Sequence, residues 1–395
     1  MGEPIGIEEA RRRVLAEITP LDSDDVPLTG ILGRVLAEDV ECPVDVPPFD
    51  GSAMDGFAVP PGASGVLPVI GESRAGHPFG AVLEPDTAIR ISTGAVVPEG
   101  AGTVVPVERT EVAGEEVDVG TPEAGRNIRR AGEDVRAGTV VLHRGTELGP
   151  AESGVLASAG RTTALCARRP QVAVLATGDE LAAPGAPLAA GEIWSSNPLT
   201  LGGLVARAGG DVILSETVPD SAEATRAALE RALASADVVC VSGGVSVGEH
   251  DHVKGAVAGL GVEERFWGVA LRPGKPTWFG MAGRVPVFGL PGNPVSAMVT
   301  FQLLARPALR ALQGADPAAT RASAVLTAPV KRHPRRAQAV RMALEARDDG
   351  WHATPTGPQG SHVLTSMVGA DAFALIEPGE GQAATGERVR VELLG

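Results

Sequence analysis

Residues 171–181, QVAVLATGDEL, run from a strand of small and β-branched apolar residues directly into Thr177, Gly178 and the acids Asp179 and Glu180. The same transition returns at 237–251 (DVVCVSGGVSVGEHD) and 285–294 (VPVFGLPGNP). Between residues 170 and 312 strand patterns at 172–176, 211–217, 238–241 and 285–290 alternate with helical patterns at 198–208, 222–234 and 295–312. That order predicts a parallel α/β sheet with right-handed crossovers. Loops at the carboxyl ends of such strands share one edge, and ligands bind there. Gly243, Gly244 and Gly292 let backbone N–H groups approach a phosphate, while Asp179, Glu180, Glu249 and Asp251 offer carboxylates to a divalent cation.

Outward from this segment the texture changes. Ile7, Ala10, Val14, Leu15 and Ile18 fall on one face at helical spacing, which predicts a helix over 7–18, with a second over 28–39. From 41 to 139 short β-like runs (67–70, 88–91, 102–107, 116–119) stand between Gly/Pro turns, the mark of an inserted β-rich domain. A helix opening with Pro150 follows and is expected to pack back on the N-terminal helices. After 316 the runs 324–330, 340–346, 372–376 and 388–393 suggest a C-terminal β-domain. The expected division is 1–40 with 140–168 (helical), 41–139 (inserted β), 169–315 (α/β) and 316–395 (C-terminal β).

Composition narrows the function. With 395 residues, 44% apolar and 21% charged, the chain is globular and large enough for several cores. A net charge of −15 argues against non-specific binding to nucleic acid or an anionic membrane, and means that an anionic substrate needs local cations or a metal. The N-terminus MGEPIGIEEARRR lacks the apolar segment of a signal peptide and no run suits a membrane span, so a cytoplasmic location is expected. Cys42, Cys166 and Cys240 are few and far apart, fitting reduced thiols, with Cys240 inside an apolar run as core.

Each motif has an ordinary reading beside the functional one. The segment 242–251 is a tight strand-to-helix turn, yet its amides lie where an anion is favoured and Ser, Glu, His and Asp crowd into it. His250 has no partner His at ligand spacing and reads as a bystander. Asp179 suits a helix N-cap as well as a cation, and Asp220 or Ser221 suits the cap of the helix that follows. Arg272 and Lys275, on the Pro/Gly-stiffened loop RPGKP (272–276), are aimed by that loop toward an oxyanion. LPGNPVS (290–296) is a rigid strand-to-helix connection whose Val295 and Ser296 amides are candidates for an anion. Asp50-Gly51 and Asp55-Gly56 suit hairpin turns, but Ser52 and Met54 add nothing that a turn needs.

Taken in order, PPFDGSAMDGFAV, RISTGAVVPEGAGTVV, RRAGEDVRAG, VAVLATGDEL, EIWSSNP, SGGVSVGEHDHVK, LRPGKPTWFG and VFGLPGNPVSAMVTF resemble the MoeA family, the molybdopterin molybdenumtransferases to which the gephyrin E-domain is related. The resemblance covers essentially the whole chain. It implies a helical dimerisation domain, an inserted β-domain, a molybdopterin-binding α/β domain and a C-terminal β-barrel, assembled as a homodimer with the cleft between subunits. The implied reaction takes adenylylated molybdopterin and molybdate, with Mg2+, to molybdenum on the dithiolene and AMP.

Carried over by position, the resemblance assigns Asp55, Thr93, Glu180, Asp220, Asp251 and Lys275 to catalysis, with Asp55 and Thr93 completing the partner's cleft. Asp220 and Asp251 are the implied Mg2+ ligands. Asp179, Gly243, Gly244, Ser246, Gly248, Pro291 and Pro294 are implied to hold molybdopterin; Arg272, Lys275, Ser296 and Arg341, with Ser361 or Ser366, the molybdate. Gly102 and Ser221 depart from the family, which often has acids there. A lone molybdopterin adenylyltransferase domain leaves 41–139 and 316–395 unexplained. The other alternative is a gephyrin-like scaffold whose C-terminal domain binds a protein partner.

Overall fold

The structure, a computed structural model, describes residues 3–244 and 252–394. Its centre is a six-stranded sheet in the spatial order Asp211–Val218, Gln171–Thr177, Val238–Ser242, Val285–Leu290, Trp278–Ala282, Glu263–Trp267. The first four strands are parallel, as the alternating pattern predicts, but Trp278–Ala282 runs antiparallel to both of its neighbours, which corrects the all-parallel expectation. The reason is local. Gly283, at φ +58°, and Arg284 form a two-residue link between Trp278–Ala282 and Val285–Leu290, too short for anything but an antiparallel hairpin.

Side-chain alternation divides the sheet between two cores. Val172, Val174, Val238 and Cys240 face the helix Asn197–Arg207 and the long helical run 294–312, whose middle turn Phe301–Ala305 is a π-helix. Ala173, Leu175, Val239 and Val241 face the helices Ala222–Ser235 and His252–Gly259. Cys240 is wholly buried, and burial pushes its thiol up to about 12, as suits a core residue. The helix Ile7–Glu17 joins the first core through Ile7, Ala10 and Val14.

The second expected N-terminal helix, 28–39, is absent. Only a 3-10 turn forms at Leu28–Gly30; Gly33 takes φ +71°, and Val35 and Leu36 instead bridge to Glu147 and Cys166. Glycines at 30 and 33 weaken any helix there, and the apolar residues are better used in a small core with Leu148, Leu156 and Ala164. The helix Pro150–Ser158 packs into that core through Leu156.

The insertion forms a second six-stranded sheet, ordered Thr103–Pro106, Gly56–Val59, Ala88–Ile91, Val66–Ser73, Glu116–Asp118, Glu111–Ala113. Gly102 packs so closely on Pro61 that a Cβ would stand 2.7 Å from its ring, so an acid has no room there. At the C-terminus Ala337–Arg347, Gly350–Pro355, Arg321–Leu326, Arg388–Leu393 and Ala372–Ile376 pair in turn and close back on Ala337–Arg347, a five-stranded barrel. None of the described helices is long and apolar enough to cross a membrane.

The barrel is tied to the α/β unit at two places. Leu271–Arg272 adds a parallel strand beside Ala337 and Gln338. Arg11, on the first helix, reaches both oxygens of Glu392 in the barrel and donates through Nε to the Leu303 carbonyl at 2.9 Å. Glu392 is 3% exposed. Burial alone would raise its carboxyl, but Arg11 and Arg321 hold it below the ordinary value. Removing one partner of a buried pair leaves an uncompensated charge, so Glu392→Gln is expected to cost about 3–5 kcal/mol in urea unfolding at neutral pH. Because the folded pKa is depressed, that stabilisation is full above the ordinary carboxylate pKa and fades as pH falls through the folded one. The penalty should therefore shrink in acid; a penalty independent of pH would show that the ionised pair is not its source.

Candidate active site

At the carboxyl edge of the central sheet four loops enclose a cavity of about 560 Å³. Asn197 holds them together. Its Nδ2 donates at 2.7 Å both to Ser242 Oγ, at the end of one strand, and to the Gly292 carbonyl, after another. Ser242 Oγ in turn donates to the Pro291 carbonyl at 3.2 Å, and the Gly243 amide donates to the Leu290 carbonyl at 3.0 Å.

Gly243 has φ +91°, and a Cβ there would lie 2.6 Å from the Thr177 carbonyl oxygen. Only glycine lets these strand ends approach so closely. Gly244 follows at φ +61° and lines the cavity with Gly243, Gly292, Pro291 and Pro294, all at the edge where the sequence places phosphate binding. Two buried polar atoms on lining residues, Thr177 Oγ1 and Asn197 Oδ1, have no partner among the described residues. Such atoms are costly unless something else satisfies them, so the cavity is built for a polar ligand.

The acids gather at the same rim. Asp220 N–H donates to Asp179 Oδ1 at 2.9 Å and Asp179 N–H to Asp220 Oδ2 at 3.4 Å, so the two loops clasp each other. Ser221, and not Asp220, caps the following helix, accepting from the Ala224 amide at 3.1 Å. Asp179 likewise caps no helix. Glu180 is exposed and lines the cavity. Among the described residues no cation pairs with Asp179, Glu180 or Asp220, and no three His, Cys, Asp or Glu stand together as a metal cluster. Ser246, Gly248, Glu249, His250 and Asp251 lie outside the described residues.

The loop 272–276 forms a wall. Gly274, at φ +118°, packs its backbone on Thr300, and its carbonyl accepts from Thr277 Oγ1 at 2.7 Å. Pro276 faces the first cavity, whereas Arg272 and Pro273 face a second, of about 580 Å³, lined also by Lys331, Arg332, His333 and Arg341. Burial, then Arg336, Arg272 and Arg335, push the His333 imidazole down, which shows how closely the cations crowd.

Arg341 is wholly buried: Nε donates to Ser366 Oγ at 3.1 Å, and Nη2 to the carbonyls of Pro358 and Gly360. Burial pushes its guanidinium down to about 10. Arg341 and Ser366 are thus together, clamping the barrel loop. The Ser361 carbonyl accepts the Val295 amide at 3.2 Å, so that amide is not open to an anion as expected; Ser296 beside it is buried. Lys275 is exposed on the wall. Asp55 and Thr93 are both exposed on the inserted domain, joined by Thr93 N–H to Asp55 Oδ1 at 2.8 Å, and neither lines the cavity.

Sequence reasoning took in Thr177, Trp194 and Asn197 only as members of the motifs 171–181 and EIWSSNP and gave none of them a role, yet all three line the cavity. It also passed over the run 331–336 (KRHPRR), whose signal, basic residues massed in an acidic chain, was legible.

Three family descriptions match the chain: "MoeA N-terminal region (domain I and II)" over residues 5–160, "Probable molybdopterin binding domain" over 173–311, and "MoeA C-terminal region (domain IV)" over 323–394. The chain is 37% identical to the molybdopterin molybdenumtransferase of Haemophilus influenzae, over 98% of each chain. It is 39% identical to molybdopterin molybdenumtransferase 2 of Mycobacterium tuberculosis, again over 98% of each. A solved molybdopterin biosynthesis moeA protein from Pyrococcus horikosii superposes with a TM-score of 0.85 at 32% identity, covering 100% of both chains.

The division of labour between neighbours 220 and 221 is testable. Ser221→Ala should lose about 1 kcal/mol of stability, the usual worth of a cap, and leave ligand affinity unchanged. Asp220→Ala should do the reverse, measured by thermal unfolding beside ligand titration; an equal stability loss in both would make Asp220 structural.

Proposed function

As the chain belongs to the MoeA family, we propose that it is a molybdopterin molybdenumtransferase acting at the carboxyl-edge cavity. The observation that carries this is the cavity's construction: a glycine cradle beside two buried polar atoms that no group among the described residues satisfies. The substrates are adenylylated molybdopterin and molybdate. In the reaction an oxygen of water or of molybdate attacks the phosphoanhydride of the adenylate and AMP leaves, while the two dithiolene sulfurs displace molybdate oxygens, lost as water, so that molybdenum remains on the dithiolene.

Gly243 and Gly244, with Ser246 and Gly248 further along the same loop, receive the molybdopterin phosphate through backbone amides. Thr177 Oγ1 donates to it, and Asn197 Oδ1 accepts from an N–H or O–H of the substrate. Pro291 and Pro294 shape the wall against which it lies. Arg272, Lys275 and Ser296 hold the molybdate dianion, while Arg341, through Ser366 and the loop bearing Ser361, fixes the barrel side of that site.

The acids fit Mg2+, because carboxylate oxygens without cationic partners are the ligands this hard ion takes. Asp220 with Asp251 would hold it, Asp179 lying against Asp220, and the ion would supply charge neutralisation at the anhydride. Asp55 and Thr93 are exposed and do not line their own chain's cavity, which supports a homodimer in which they complete the partner's cleft. No observation favours the gephyrin-like scaffold, since the acids that a scaffold would not need are kept.

The purified protein should release AMP from adenylylated molybdopterin only with both molybdate and Mg2+, and the product should activate an apo-molybdoenzyme. Binding without AMP release would refute the transferase. For the shared cleft, Asp55→Ala and Asp220→Ala should each be inactive alone, while remixed dimers recover about a quarter of wild-type activity, because half are mixed and each of those has one intact cleft. No recovery on mixing would place both residues in one subunit's site.

A further inference from the structure

The cavity also holds an aromatic surface without an assigned task. Trp194 lines it and is 54% exposed, beside Ile193 at 56%. The chain has four tryptophans and no tyrosine, so a large aromatic left open at a ligand cavity is a scarce resource in an unfavourable place.

Its position is fixed. Ile193 and Trp194 pair in parallel with Leu181 and Ala182, the Ile193 amide donates to the Glu180 carbonyl at 2.7 Å, and the Ser195 amide to the Ala182 carbonyl at 2.8 Å. The indole Nε1 donates to the Ala186 carbonyl at 2.9 Å. With its single polar atom engaged, what the side chain has left to offer is its apolar π face.

We propose that Trp194 is the stacking platform for a flat fused nitrogen heterocycle bound in this cavity, the pterin or the adenine of the adenylylated substrate. The inference rests on the transferase reading for the identity of that substrate. Stacking buries the exposed indole, and Asn197 Oδ1 on the same lining, an acceptor with no partner among the described residues, suits the exocyclic amino group that pterin and adenine share. Leu181, Pro276 and Pro294 supply further apolar lining, and a cavity of about 560 Å³ accommodates one such ring system with a phosphate.

The test compares wild type, Trp194→Phe and Trp194→Ala by calorimetric titration with AMP and, separately, with 6-hydroxymethylpterin, alongside steady-state AMP release. Trp194→Ala should weaken one of the two probes about tenfold and raise KM similarly with kcat within about twofold, and Trp194→Phe should restore most of the affinity. Whichever probe loses affinity identifies the stacked ring. Unchanged affinity for both probes with unchanged KM overturns the proposal, as does an equal loss in Trp194→Phe and Trp194→Ala. A wild type that never releases AMP would instead refute the transferase reading, and the titrations would still judge Trp194.

Discussion

The Thr177 carbonyl oxygen occupies the space that a side chain on residue 243 would need, and the site follows from that contact. Because residue 243 is glycine, two adjacent parallel strands end close together; because they do, Asn197 can reach Ser242 Oγ and the Gly292 carbonyl with one amide nitrogen. Three strand-end loops and a helix start are thereby drawn around one cavity. The arrangement leaves Thr177 Oγ1 and Asn197 Oδ1 buried with no partner among the described residues, a local cost that a bound polar ligand or water offsets. The cavity at this edge is therefore built into the packing of the sheet.

The barrel depends on a second constraint. Arg11 joins the N-terminal helix, the Leu303 carbonyl of the π turn and the barrel's Glu392 in one buried cluster. With Leu271–Arg272 paired to Ala337 and Gln338, this fixes the wall 272–276 between domains. Pro276 at one end of the wall lines the cavity of glycines, polar side chains and Glu180, and Arg272 at the other lines one rich in cations. Such a separation suits two anionic reactants that repel each other in free solution.

The central sheet was legible because its strands carry continuous apolar runs and its turns carry Gly, Asp and Pro; a C-terminal β-domain was legible from alternation, while its closure into a barrel was implied by the resemblance alone. The antiparallel strand Trp278–Ala282 was missed because WFGMA carries no mark of direction, which only the two-residue Gly283-Arg284 link decides. The helix expected over 28–39 failed because helical spacing says nothing of two glycines inside it. In the site, the acids and glycines were legible as types, but the choice between Asp220 and Ser221 as cap was not, since both residues cap helices well. Asn197 was invisible for another reason: its role depends on two loops distant in sequence. Arg341 was identified by resemblance, and its burial behind Ser366 is a feature of the barrel's closure that no local pattern encodes.

The most direct test of the account is amide hydrogen exchange of the full-length protein with and without bound molybdopterin. The account predicts protection concentrated at 177–181, 193–197, 242–244 and 290–294, the loops around the carboxyl-edge cavity. Protection centred instead on the cavity at the opposite edge of the sheet, around Leu21, Asp22, Asp237 and Arg284, would contradict it.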